Sequence, residues 1–264
     1  MNGSFHAASK HVGAFDDLGF DPKLLDGEGL AQHLEKRVQQ TLEEVLSSNV
    51  WRTLSDPASD LRLITEILKE VYLEISMYQP DSIEAAIASI GQFPRSMPVA
   101  LIEEMLHHQV EEFDHGEMAL RDYLKFGGDE AYARSRTQSP SAFAVAAMWR
   151  NITHKRDPFL YLGAVYLFDG LTPIATKIVM DMMAQRSGAG EGLEFIRHHA
   201  TADLEHTRQI RALIVEVADL YPHSKAAIAY GYEYFKHVYP LPVWEAACTR
   251  AVRRLGREES AAAA

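Results

Sequence analysis

Apolar residues recur at three- and four-residue spacing along most of this chain. Leu30, Leu34, Val38, Leu42 and Val45 mark one face of a helix over 29–48. Ser55, Asp56 and Pro57 signal the start of another over 59–78, which Pro80 should stop. Its apolar stripe is Leu63, Ile67, Val71 and Ile75, with Glu66, Glu70, Glu74 and Met77 alongside. A short helix over 81–90 leads, past Pro94 and Pro98, into a long one over 99–126 that Gly127 and Gly128 end. The polar stretch 129–141 looks like a flexible connection, and Phe143 to Trp149 begins a further short helix. Residues 159–185 are long, apolar and helix-like, interrupted by Asp169, Gly170, Thr172 and Pro173, where a kink is expected. After a Gly-rich turn over 187–191, helices over 192–221 and 223–255 close the chain. No strand-like alternation, repeat or linker breaks the pattern. The expectation is an all-α, single-domain bundle of about seven helices over 26–256, with an arm at 1–25 and a tail at 257–264.

Composition narrows the setting more than the chemistry. Hydrophobic residues make up 47% and charged residues 24% of 264, an ordinary globular balance. A net charge of −11 argues against nucleic acid or an anionic membrane surface as partner. No apolar run reaches a membrane span of roughly 20 residues, and the first ten residues lack a secretory signal. One cysteine, Cys248, excludes an internal disulfide, and the expected location is the cytoplasm. The 12 histidines are many for this length.

Six metal-capable residues fall into two matching stripes. His199, Asp203 and His206 stand at i, i+4 and i+7, and His108, Glu112 and His115 repeat the same offsets. At roughly 100° per residue, each trio lies within about 60° on one helix face. Two such stripes suggest a metal site between two facing helices. Glu111 and Asp114 point off the stripe toward a solvated face, and Asp122 fits a supporting or surface position. His6 and His11 look like surface residues. Asp169 differs, because a carboxylate inside the apolar run 161–168 needs a cation or donor. Glu70 and Glu74 could add another carboxylate or could form an exposed acidic stripe. Zinc in a structural site would favour cysteine, and calcium or magnesium all-oxygen shells. Three or four histidines with as many carboxylates would serve two ions, and a mixed shell with open positions suits iron and dioxygen.

Glu70 and Tyr72, then His108, Glu111, Glu112, His115 and Asp122, then Tyr166, Asp169 and Gly170, and finally the His199-x3-Asp203-x2-His206 element together resemble the haem-oxygenase-like di-iron oxidases and oxygenases, the iron-containing redox enzymes. The resemblance covers about 60–215 and implies a haem-oxygenase-like helical domain. It implies a metal shell of Glu70, Glu112, His115, Asp169, His199, Asp203 and His206 holding two iron ions, with Glu70 as a bridge and Glu74 as the fallback. Whether His108 or Glu111 joins that shell stays open. The family more often has Glu where Asp169 stands, and the shorter arm would draw that helix closer or leave one iron less firmly held. The implied activity is dioxygen activation to N-oxygenate or oxidatively cleave a small amino-acid- or fatty-acid-derived metabolite. Dioxygen is the co-substrate, an external electron donor is in keeping with this, and so is a homodimer. Tyr72, Met105, Tyr166, Thr172 and Thr176 would line a pocket, and Arg197 or Arg208 could hold a substrate carboxylate. The alternatives on this fold are a thiaminase-like hydrolase, for which Cys248 would be the nucleophile, and a metal-free helical binding protein. A haem site would have only His33 in the first helix to draw on.

Overall fold

The computed structural model describes residues 15–154, 157–186 and 192–262, apart from the side chains at 202, 203, 259, 261 and 262. Two 3-10 turns, Asp16–Leu18 and Pro22–Leu24, precede α1 (Gly27–Ser47) and α2 (Asn49–Ser55). Then come α3 (Leu61–Ile90), α4 (Val99–Glu111), α5 (His115–Lys125), α6 (Glu130–Ser135) and α7 (Pro140–His154). The chain ends with α8 (Leu160–Ala184), α9 (Glu194–Leu220), α10 (Ser224–Lys236) and α11 (Leu241–Ala262). Helix accounts for 81% of the structure, and no strand occurs among the described residues. The all-α expectation holds, with eleven α-helices among the described residues where the periodicity predicted about seven. The Gly-rich turn at 187–191 and most of the N-terminal arm, with His6 and His11, lie outside the described residues.

Each departure from the sequence pattern has a local cause. Pro80 does not end α3, because its ring lies on the solvent side while Tyr78, Gln79, Ser82 and Ile83 around it are buried. Only one backbone hydrogen bond is lost there, and packing of the flanking turns outweighs it. Pro173 likewise sits inside a continuous α8. It cannot donate to the Asp169 carbonyl, which instead accepts from Thr207 Oγ1 on α9 at 2.7 Å. The helix expected over 99–126 does break, at Glu112 to Asp114, where 3-10 bonds (His115 N to Glu112 O, 3.2 Å) replace the α pattern. Gly116 follows the break and lets α5 approach α3, since a Cβ at this position would lie 3.3 Å from Gln79 Cβ. The stretch 129–141 is ordered, holding α6 and a set of side chains tied to α3. The closing helix divides into α10 and α11, and α11 runs on through most of the expected tail.

At the centre of the bundle is α8, packed against α9 on one side and α10 on another. Gly163 and Gly231 let the backbones of α8 and α10 touch, for a Cβ at Gly163 would fall 1.8 Å from the Ile228 carbonyl oxygen. This helix is long and apolar enough to cross a membrane, a span the sequence pattern did not suggest, but 83% of its most apolar window is buried in the bundle. That is the surrounding of a core helix. Entry into α9 is fixed from two directions. Asp122 Oδ2 of α5 accepts from Phe195 N at 2.8 Å, and Tyr72 Oη of α3 donates to the Gly192 carbonyl at 2.9 Å. Burial pushes the Asp122 carboxyl up, against the backbone N–H groups of Phe195 and Glu194, which lower it.

Candidate metal centre

His199 and His206 of α9 face His108, Glu112 and His115 across the bundle. His108, Glu112, His115, His199 and His206 are all buried there. Their donor atoms fall into two trios, each within 4.8 Å: His108 with Glu112 and His206, and Glu112 with His115 and His199. Glu112 belongs to both. Its Oε1 lies 3.9 Å from His108 Nε2 and 3.5 Å from His206 Nδ1, while Oε2 is 2.7 Å from His115 Nδ1. His115 Nδ1 in turn lies 3.1 Å from His199 Nε2.

Asp169 joins the first trio from α8. Its Oδ2 faces His108 Nε2 at 3.2 Å, without the alignment of a hydrogen bond, and both atoms are buried and make no hydrogen bond. A cavity of about 30 Å³ lies against His108, Glu112 and Asp169. Gln79 from α3 borders it too, with Nε2 donating to Glu112 Oε2 at 3.4 Å.

The second nitrogen tests, for three of the four rings, whether these histidines are built for a metal. A ligating imidazole gives one nitrogen to the ion and holds the other against a fixed partner. His199 Nδ1 donates to the Phe195 carbonyl at 2.7 Å, leaving Nε2 on the cluster. His206 Nε2 faces Glu111 Oε2 at 3.1 Å, leaving Nδ1 on Glu112. His108 Nδ1 meets the Gln109 amide at 3.0 Å, leaving Nε2 on Asp169. With nitrogen and carboxylate donors converging and two buried polar atoms awaiting a partner, the residues fit a pair of borderline divalent ions.

Without a metal, the charges of the cluster are set by the same contacts. Burial opposes the charge of Glu112, but His115 and His206 hold its carboxyl well below the ordinary range. Burial also opposes the charge on His108, yet Asp169, with Glu112 and Glu111, outweighs it and pushes the imidazole up to about 9. Burial drives His199 down to about 3, against the pull of Glu112, so this ring stays neutral near pH 7. Phe195 stacks on it at 3.9 Å and keeps water away from its face.

One expected ligand is placed elsewhere. Glu70 and Glu74 are fully buried, but among arginines rather than histidines. Arg250 Nε donates to Glu70 at 2.7 Å, Arg254 donates to its other oxygen, and Arg136 Nη2 donates to Glu74 at 2.8 Å. Ser139, Ser141 and the Ala142 N–H fill the remaining lone pairs of Glu74. Three guanidinium groups saturate this pair, which stands apart from the histidine cluster. The side chain of Asp203 lies outside the described residues. Of the two residues left open, His108 stands in the cluster, and Glu111 acts through His206.

Around the centre, Tyr72, Thr172, Thr176, Phe195 and Tyr239 help line an apolar cavity of about 40 Å³. Met105 is buried outside it, and Tyr166 borders a separate surface groove. Arg197 is exposed and Arg208 pairs with Glu205 at 2.8 Å, so both are surface residues. Gln79, Gln109 and Tyr161 went unnoticed in the sequence. For Gln79 a signal existed, a polar residue four positions from both Ile75 and Ile83 on a buried face.

The sequence profile of the iron-containing redox enzymes matches residues 85–238, more than half of the chain and all of the cluster. A comparison with curated protein sequences finds no match. Among solved structures, a domain of unknown function with a heme oxygenase-like fold from Shewanella denitrificans OS217 superposes with a TM-score of 0.68 at 17% identity, covering 87% of this chain and 94% of that one. A TenA homolog from Pseudomonas syringae pv. tomato str. DC3000 superposes with a TM-score of 0.63 at 11% identity, covering 86% and 96%. These likenesses show the heme oxygenase-like fold alone. Profile, fold and buried cluster together make the chain a member of the iron-containing redox enzyme family.

Proposed function

We propose that this protein is a non-haem di-iron enzyme that activates dioxygen to oxidise a small amino-acid- or fatty-acid-derived metabolite. The observation that carries the reading is Glu112, a single buried carboxylate whose two oxygens serve two donor trios. A lone ion would leave one trio without a purpose. His108, His206 and Asp169 would hold one ion and His115 and His199 the other, with Glu112 between them and Asp203 added by its spacing. Bound there, two iron(II) ions would supply electrons for dioxygen and an oxidising centre for a substrate.

The chain's own residues do the rest. Phe195 and Tyr72 exclude water from the His199 side, and the cavity beside them offers a small apolar surface to a substrate. Glu111 and the Phe195 carbonyl hold protons on the outer nitrogens of His206 and His199, which keeps the inner nitrogens free to coordinate. Gln79 steadies the Glu112 oxygen nearest His115. A thiaminase-like hydrolase finds no support in the cluster, because Cys248 stands on α11 with its thiol pushed up by burial.

Anaerobic loading should give about two iron ions per chain, followed by oxygen uptake on mixing. Glu112→Ala should remove most of both ions, while Asp169→Asn should weaken only one. Equal losses in the two variants, or no iron in the wild type, would refute the shared-carboxylate site.

A further inference from the structure

We infer that Gln109 is the positioning residue of the His108 ligand, and that Tyr161 holds Gln109 in place; the inference rests on the di-iron reading and deepens it. The side-chain amide of Gln109 reaches His108 Nδ1 at 3.0 Å and Tyr161 Oη at 2.9 Å, and all three residues are buried. With the amide nitrogen turned inward, it donates to Tyr161 Oη and can donate to His108 only if Nδ1 is bare.

Coordination through Nε2 requires the opposite, since a neutral imidazole with a metal on one nitrogen carries its proton on the other. An Nδ1–H in this position needs an acceptor. A half-turn of the Gln109 amide exchanges oxygen for nitrogen without changing its shape. The oxygen then accepts from both His108 Nδ1–H and the Tyr161 hydroxyl. Tyr161 can serve as that donor because burial keeps its phenol protonated. His199 and His206 solve the same problem with the Phe195 carbonyl and the Glu111 carboxylate. Gln109 is the corresponding acceptor for the third ring, and the His108–Gln109–Tyr161 chain aims Nε2 at Asp169 and Glu112. Tyr161 also lines the cavity between these ligands and Trp149, so the chain doubles as one wall of the centre.

The test is equilibrium cobalt(II) binding, followed by visible absorption under nitrogen against a competing chelator, with thermal melting of the metal-free protein as control. Gln109→Leu fills the same space but accepts nothing, and it should weaken one of the two ions by about 10–100-fold while sparing the other. Gln109→Glu keeps two acceptor oxygens and should restore binding to within about threefold of the wild type. Tyr161→Phe frees the amide to rotate and should give a loss between those two. A merely structural role would lower the melting temperature without selecting one ion and without rescue by Glu. Two cobalt ions held by Gln109→Leu as tightly as by the wild type would overturn the positioning role and leave the di-iron reading intact. Failure of the wild type to bind cobalt would overturn both. Should Gln109→Leu not fold, Gln109→Glu and Tyr161→Phe decide, and equal losses in these two would overturn the inference.

Discussion

Substituting Glu70 by Gln separates two accounts of the same acidic stripe. If Glu70 bridged two metals, Glu70→Gln would cost iron and little stability. The structure requires the reverse. Glu70 is fully buried and accepts from Arg250 and Arg254, with Arg136 Nη1 at 3.4 Å. Glu66, Glu70 and Glu74 face Arg136, Arg250, Arg254 and Lys69, four cations against three carboxylates, so no anion can be spared. Removing one anion leaves a guanidinium uncompensated. Breaking a buried pair in this way costs about 3–5 kcal/mol. Arg250 and Arg254 keep side-chain exposures of 25% and 29%, so their charges regain some water. That places the expectation at the lower end, about 3 kcal/mol, or roughly 6–12 °C in melting temperature for a domain near this size. Circular dichroism melting gives the stability, and metal analysis after anaerobic loading gives the stoichiometry. Iron content should match the wild type. A variant that melts normally but binds about half the iron would refute this placement and return Glu70 to the metal shell.

Two other expectations follow from geometry and charge. In the metal-free protein, the stability contributed by His108 is fully present below its unfolded value of 6.5 and is lost as pH rises through about 9. His199 works in the opposite sense, contributing fully above 6.5 and losing its contribution as pH falls toward about 3. Melting profiles should therefore show His108→Gln flattening the alkaline limb and His199→Gln the acid limb, and curves parallel to the wild type would contradict both assignments. Asp122→Ala removes the acceptor for Phe195 N at the start of α9, a cap loss of about 1–2 kcal/mol. It should also weaken the ion on the His199 side more than the one on the His108 side. Equal affinity at both positions would show that α9 is seated without Asp122.

Much of the fold was legible because packing follows the 3.6-residue period whatever the tertiary topology. The stripe Leu30, Leu34, Val38, Leu42 and Val45 is buried throughout α1, as its spacing required. What failed were the stops. Pro80 was expected to end its helix and does not, while Pro173 stands within the single long helix expected around it. A proline removes a single hydrogen bond, and whether that matters depends on what stands beside the freed carbonyl. For Asp169 it is Thr207, 38 residues away, which no local pattern predicts. The break at Glu112 is the converse case, for here an apparently continuous helix yields where α5 must approach Gln79 across Gly116.

Legibility of the site followed the same division between local and distant. Residues that act together on one helix are readable from offsets alone, as His199 and His206 on α9 are, whereas His108 and Glu112 stand at the end of α4 and His115 at the start of α5, so their convergence depends on the break as well. Glu70 could not be placed in this way, because an i, i+4 carboxylate pair looks the same before a metal and before an arginine. The distinguishing residues were in the sequence, since Arg250 and Arg254 repeat the four-residue spacing of Glu70 and Glu74 with opposite charge. Complementary stripes on two helices predict that those helices pack together, just as matched ligand stripes do. Weighed side by side, four histidines claim the carboxylate of Glu112 and three arginines claim those of Glu70 and Glu74. A protein with two buried clusters of acidic residues must keep them apart, because an arginine within reach of Glu112 would occupy the oxygens that the proposed metal ions would need. The long α3 achieves this separation: Glu70 and Glu74 face α11, and Gln79, a residue that carries no charge to compete for either set, faces the histidines.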